Sequence, residues 1–164
     1  MRFAGIDVGK TGAVCVLDEY GDILSTIPKM PWENDRLDAR RLYQFLGVWA
    51  EGGLTVSVEK VNGFGMGLKS CFTFGSCNGG IMACIDIMKA RIIHVTPQRW
   101  KKAMLVDYNP KKLGKEASVK AAFDLFPQLR NGQLSKKSSH NLAEAALMAE
   151  FGRRIYLNNQ LEKC

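Results

Sequence analysis

Apolar positions along this chain fall into short runs that alternate with longer stretches of helical spacing. Arg2 to Val8 is a short apolar run closed by Asp7 and followed by a turn holding Gly9 and Gly12. Ala13 to Leu17 is a second run, and Ile23 to Ile27, after the turn signal Tyr20-Gly21-Asp22, is a third. No helix-length segment separates them, so they are expected to pair as an antiparallel meander. Pro28 and Pro31 then break the chain. A helix is expected after Asp38, its cap, because Leu42, Phe45, Leu46 and Trp49 recur at helical spacing until Gly52-Gly53 ends the pattern. Thr55 to Val58 reads as a buried β-branched strand ending in Glu59.

A glycine-broken loop, Asn62 to Gly67, leads into an apolar stretch from Ser70 to Met88. That stretch is too long for a strand and is read as a helix despite Gly75, Gly79 and Gly80, each of which costs about 1 kcal/mol against alanine. Small residues there permit close approach of another helix, from the same domain or from a second copy. Arg91 to Val95 is a fifth strand, and Thr96-Pro97 combines a cap with a proline in the first turn. Val106 to Gly114 reads as a mobile basic loop, Lys115 to Leu125 as a helix, and Gly132 to Ser139 as a polar basic linker. A last helix is expected from about His140 to Ile155, packing through Leu142, Ala145, Ala146 and Ala149. The whole predicts an α/β domain with a five-stranded mixed sheet and helices on both faces, one domain over residues 1–164.

Composition narrows the partners. Hydrophobic content of 46% and charged content of 24% are ordinary for a globular chain. No apolar run approaches the roughly 18 residues of a membrane span, and the N-terminal stretch lacks signal-peptide anatomy. A cytoplasmic setting is therefore expected (the host's, if a phage encodes the chain), with no membrane partner. Cys15, Cys71, Cys77, Cys84 and Cys164 form no CxxC pair and read as reduced core thiols. The net charge of +7 is concentrated: from Arg99 to Lys137 ten basic residues face three acidic ones, which accounts for all of it. Such clustering suits a polyanion, although a solubilising surface produces it too.

Chemistry enters with the acids. Asp7 and Glu59 close two strands, and ligand sites of open α/β sheets gather at such strand ends. On the last helix, Asn141 and Glu144 are three apart and His140 and Glu144 four apart, so either pair shares a face. One acid after a strand is usually a turn or cap residue; the combination, if brought together, is a cluster of hard oxygen ligands for Mg²⁺ or Mn²⁺. Two such ions can drive phosphodiester hydrolysis. Phe64 and Met66, in the glycine loop after Glu59, either wedge into base steps or pack beneath the loop. Trp100 and Phe123 are assigned to the core.

Four segments occur in order: GIDVGKTGAV at the first strand, VSVEKV at the fourth, VTPQRWKKAM after the fifth, and SHNLAEAALMAEFGRR on the last helix. With them the chain resembles the RuvC-type Holliday junction resolvases of the RNase H-like superfamily, in their compact phage and organellar form. The resemblance implies a homodimer that resolves branched DNA by paired nicks, with Mg²⁺ (Mn²⁺ as substitute), two ions per site, and no organic cofactor. It implies Asp7 as central ligand, Glu59 as second and Glu144 as last. It also implies a basic residue near the scissile phosphate at Lys115, and Lys60, Lys69, Arg99, Lys101, Lys102, Lys136 and Lys137 are candidates for DNA contact.

One position departs from the pattern. Where the family carries an acid three residues before the last ligand, this chain has Asn141. Three explanations stand: an inactivating substitution, His140 taking the ligand role, or a junction binder that no longer cuts. The neighbouring residues fit an active enzyme and favour the first. Among rivals, an actin-like ATPase needs a second glycine loop and roughly twice the length. A ribonuclease H or transposase-like nuclease shares the fold and differs in loops.

Overall fold

The computed structural model describes residues 1–60, 65, 67–131 and 139–162. Its main sheet has five strands in the order β3-β2-β1-β6-β7: Ile23–Ile27, Ala13–Leu17, Arg2–Asp7, Leu54–Glu59 and Arg91–Val95. The first three strands pair antiparallel, as their short connections require, while β1 pairs parallel with β6 and β6 with β7. Two further strands, β4 (Trp32–Glu33) and β5 (Arg36–Leu37), form a small separate hairpin within the stretch that follows Pro31. Two-residue strands carry no periodicity, which is why the sequence pattern misses them.

Side-chain alternation divides the sheet into two faces. Ala4 and Ile6 of β1, with Leu54, Val56 and Val58 of β6, pack under α1 (Ala39–Gly47) and α2 (Leu68–Ile87). Phe3 of β1, Cys15 and Leu17 of β2, and Val95 of β7 pack on the other face with α3 (Pro97–Met104), α5 (Glu116–Leu125) and α6 (Ser139–Leu161). The same alternation sends Gly5 and Asp7 toward α6, and likewise Ser57 and Glu59. Two glycines let α6 lie directly on the sheet. A Cβ at Gly5 would stand 2.0 Å from the Ala145 carbonyl oxygen, and one at Gly152 would stand 2.0 Å from Ser57 Oγ.

Helix starts follow the expected capping chemistry. Asp38 accepts a hydrogen bond from Arg41 N at 3.0 Å, and Thr96 Oγ1 accepts one from Arg99 N. The segment Val106 to Gly114 departs from its expectation as a mobile loop. It contains a one-turn helix, α4 (Pro110–Leu113), because Asn109 caps Lys111 N and Lys112 N and Pro110 occupies the first helical position. The last helix is longer than expected, running to Leu161. Cys15, Cys77 and Cys84 are buried free thiols, whereas Cys71 is exposed, a correction to its assignment to the core. No helix among the described residues is long and apolar enough to cross a membrane.

Candidate active site

Strand register brings the first two acids together. Ile6 of β1 stands opposite Val58 of β6, so Asp7 and Glu59, each one residue further on, leave neighbouring parallel strands at the same end and on the α6 face. The turn after Asp7 is tight: a Cβ at Gly12 would lie 2.0 Å from the Asp7 carbonyl oxygen. Thr11 in that turn receives α6. Asn141 Nδ2 donates to the Thr11 carbonyl at 2.6 Å and to its hydroxyl at 3.3 Å. One helical turn on, Glu144 lies almost fully buried beside Asp7.

Each carboxylate has a different environment. Glu144 accepts three donors on one oxygen, Oε1: Lys101 Nζ at 2.8 Å, Ser118 Oγ at 3.1 Å and His140 Nε2 at 3.2 Å. Its Oε2 has no partner among the described residues. Burial pushes this carboxyl up, but the His140 and Lys101 contacts outweigh burial and hold it below its ordinary value. Glu59 accepts one hydrogen bond on Oε1, from Trp100 Nε1 at 3.0 Å. Asp7 forms no hydrogen bond or ion pair among the described residues. Burial first, then the charges of Glu144 and Glu59, raise it from an ordinary 3.8 to about 7. Glu150, also on α6, shows what a saturated structural acid looks like: Arg153 and Arg154 clasp it through three contacts of 2.7–3.0 Å. Asp7 is the opposite case, a half-buried acid with no hydrogen-bond or ion-pair partner among the described residues.

His140 completes the polar network. Its Nε2 faces the Glu144 carboxylate and its Nδ1 lies 3.3 Å from Asn141 Oδ1. An oxygen acceptor at each ring nitrogen stabilises the protonated ring relative to the neutral one. Its pKa is raised, first by the Glu144 hydrogen bond.

Among the described residues no three His, Cys, Asp or Glu side chains converge into a ready-made metal cage. The donor chemistry nevertheless fits a hard divalent cation: a half-buried carboxylate and two neighbouring carboxylates each with one oxygen free of partners among the described residues, with mutual repulsion that a cation would relieve.

The other sequence-expected residues divide. Lys101, expected at the DNA backbone, is ion-paired with Glu144 in the acid cluster and remains partly exposed. Lys115 is exposed at the start of α5, near enough to His140 to depress its basicity. Lys60, Lys69, Arg99 and Lys102 are exposed, and Arg99 lies over the Phe151 ring. Phe64, Met66, Lys136 and Lys137 lie outside the described residues. Sequence reasoning missed Trp100 as a site residue, reading it as core alone; it is fully buried and also orients Glu59. It missed Ser118, for which the sequence carries no signal, and Thr11, whose place in the turn after Asp7 was a usable hint.

No family model and no curated protein matches this sequence. Solved structures match it. A structure of Thermus thermophilus RuvC aligns with a TM-score of 0.66 at 17% identity, covering 95% of this chain and 97% of that one. The T. thermophilus RuvC structure in complex with a Holliday junction substrate aligns with a TM-score of 0.64 at 15% identity, covering 94% and 96%. At this identity the likeness is one of architecture, over nearly the whole of both chains: the chain has the RuvC-type, RNase H-like fold.

Proposed function

We propose that this chain is a Mg²⁺-dependent endonuclease that nicks branched DNA, with a four-way junction as its substrate and a homodimer as its working form. The observation that carries this reading is Asp7: half-buried, without a hydrogen-bond or ion-pair partner among the described residues, and placed by β-sheet register beside Glu59 and by α6 beside Glu144. A structural acid in that position would be neutralised by the protein, as Glu150 is.

Asp7, Glu59 and Glu144 would hold the ions, with Mn²⁺ as a substitute for Mg²⁺. Divalent ions bound there supply an activated water and stabilise the leaving oxygen. The chain's own side chains orient and neutralise. Trp100 fixes Glu59, and Ser118 and His140 fix one oxygen of Glu144. Lys101 places positive charge beside Glu144, and Lys115 beside His140, which lowers the cost of bringing a phosphate to the acids. The exposed Lys60, Lys69, Arg99 and Lys102 offer phosphate contacts whose strength falls with salt.

The dimer is supported by α2. Leu68, Phe72 and Ile87 are 90, 79 and 68% exposed, and a Cβ at Gly75 or Gly79 would meet nothing among the described residues within 4 Å. Burial within one domain therefore does not explain these glycines, whereas close approach of a second α2 does. A two-fold assembly matches the symmetry of a junction.

A second reading has its own observation. The short Asn141–Thr11 hydrogen bond uses the amide as a donor, which a carboxylate cannot reproduce. On that reading the chain binds junctions without cutting them. The two separate in one assay: a labelled four-way junction against linear duplex and RNA–DNA hybrid, with and without Mg²⁺. The nuclease reading expects Mg²⁺-dependent nicks confined to the junction. Tight junction binding with no nicks supports the binder, and preferential cutting of the hybrid supports a ribonuclease H-like activity.

A further inference from the structure

Beside the acid cluster lies a cavity of about 530 Å³ whose walls include Gly9, Lys10, Trp32, Lys69, Ser70 and Phe74. The β4–β5 hairpin supplies the indole of Trp32, and the first turns of α2 supply Lys69, Ser70 and Phe74. Gly9 is two residues from Asp7, so these Cα atoms are at most about 7 Å apart. The cavity wall thus begins within two residues of Asp7.

The lining combines three chemistries. Trp32 and Phe74 offer aromatic surface. Lys10 Nζ lies 5.8 Å from the indole ring centre and 3.1 Å from Asp35, which also lines the cavity. Lys69 and Ser70, both exposed, stand at the α2 side. The Trp32 N–H is buried without a partner among the described residues, so the fold gains no hydrogen bond from this ring. Volume and composition fall in the range of small-ligand sites, and the pairing of rings with cations is the chemistry that holds an unpaired nucleotide.

Building on the nuclease reading, we propose that this cavity receives one unstacked base from the strand bound at Asp7, Glu59 and Glu144. The base would rest on the aromatic surface while Lys69 and Lys10 meet the adjoining phosphates. The site would thereby fix which phosphate faces the acids, making Trp32 a positioning residue.

The test is an abasic scan of a four-way junction, one nucleotide removed at a time, with binding measured in the absence of divalent ions. For the unaltered full-length protein, one position on each bound strand should lose roughly 5- to 150-fold in affinity. Trp32→Ala should erase that position-specific loss. Because Trp32 packs partly into the core, Ser70→Trp serves as a second variant: position 70 is exposed and lines the cavity, so an added indole there competes for its space. It should flatten the profile in the same way. An unchanged, position-specific profile in both folded variants, or a flat profile in the unaltered protein, overturns the proposal while leaving the nuclease reading intact. Failure of the unaltered protein to bind any junction overturns both.

Discussion

Gly5 on β1 and Ala145 on α6 are in direct backbone contact: an added Cβ at Gly5 would lie 2.0 Å from the Ala145 carbonyl oxygen and 2.5 Å from Ala149 N. Both atoms belong to a helix backbone and cannot rotate away. Because Glu144 is the residue before Ala145, this contact sets how closely the last acid approaches Asp7. Gly5→Ala should therefore displace α6, destabilising the protein by about 3 kcal/mol or more. Cleavage should fall further than the folded fraction does. Denaturant unfolding together with activity per folded molecule checks both effects.

Trp100 donates to Glu59 from a fully buried position. Trp100→Phe keeps most of the ring and removes the N–H. If the indole orients a metal ligand, the Mg²⁺ concentration for half-maximal activity should rise about 10- to 100-fold. A purely packing role would lower stability and leave that concentration unchanged.

The raised pKa of Asp7 predicts a trade between stability and function. The folded protein holds a proton on Asp7 up to about pH 7, whereas an ordinary carboxyl releases it near 3.8. Between these values the folded state binds more protons than the unfolded one, so stability without divalent ions should fall as pH rises from about 4 to 7. Asp7→Asn should relieve this, raising metal-free stability at pH 8 by on the order of 2–4 kcal/mol while abolishing cleavage. The gap should close toward pH 4. Mg²⁺ should raise the Tm of the unaltered protein and not that of the variant. A metal-free Asp7→Asn less stable than the parent at pH 8 would contradict this picture.

How much of this was legible in the chain follows from where periodicity exists. Strands β1 to β3, β6 and β7 carry apolar runs, and the caps at Asp38 and Thr96 mark helix starts, so the sheet and its order of elements could be read directly. Asp7, Glu59 and Glu144 were legible because each lies at a strand end or on a helix face of known spacing. Trp100 and Ser118 were not, because a buried ring or hydroxyl looks the same in sequence whether or not it touches a carboxylate. Lys101 looked like any surface cation; only the packing of α3 against α6 turns it onto Glu144. The β4–β5 hairpin was invisible to pattern, and the cavity it walls with it.

The open face of α2 predicts a second copy. Gly79 is exposed and, among the described residues, has nothing within 4 Å of a built Cβ, so the side chain of Gly79→Trp starts into open space. It should nevertheless block close helix approach, converting a dimer to a monomer in sedimentation and lowering junction affinity. Sedimentation identical to that of the unaltered protein would place the interface elsewhere.

The central claim is that the acids around Asp7 hydrolyse DNA, and position 141 tests it most directly. Cleavage of a labelled four-way junction should be measured in Mg²⁺ for the unaltered protein, Asn141→Asp, and Asn141→Asp combined with Asp7→Asn. Aspartate at 141 loses the amide donation to Thr11 but adds a ligand carboxylate, and nicking should rise about 10- to 100-fold, then vanish with Asp7→Asn. Folded, junction-bound Asn141→Asp protein that makes no nicks in Mg²⁺ or Mn²⁺ would contradict the account.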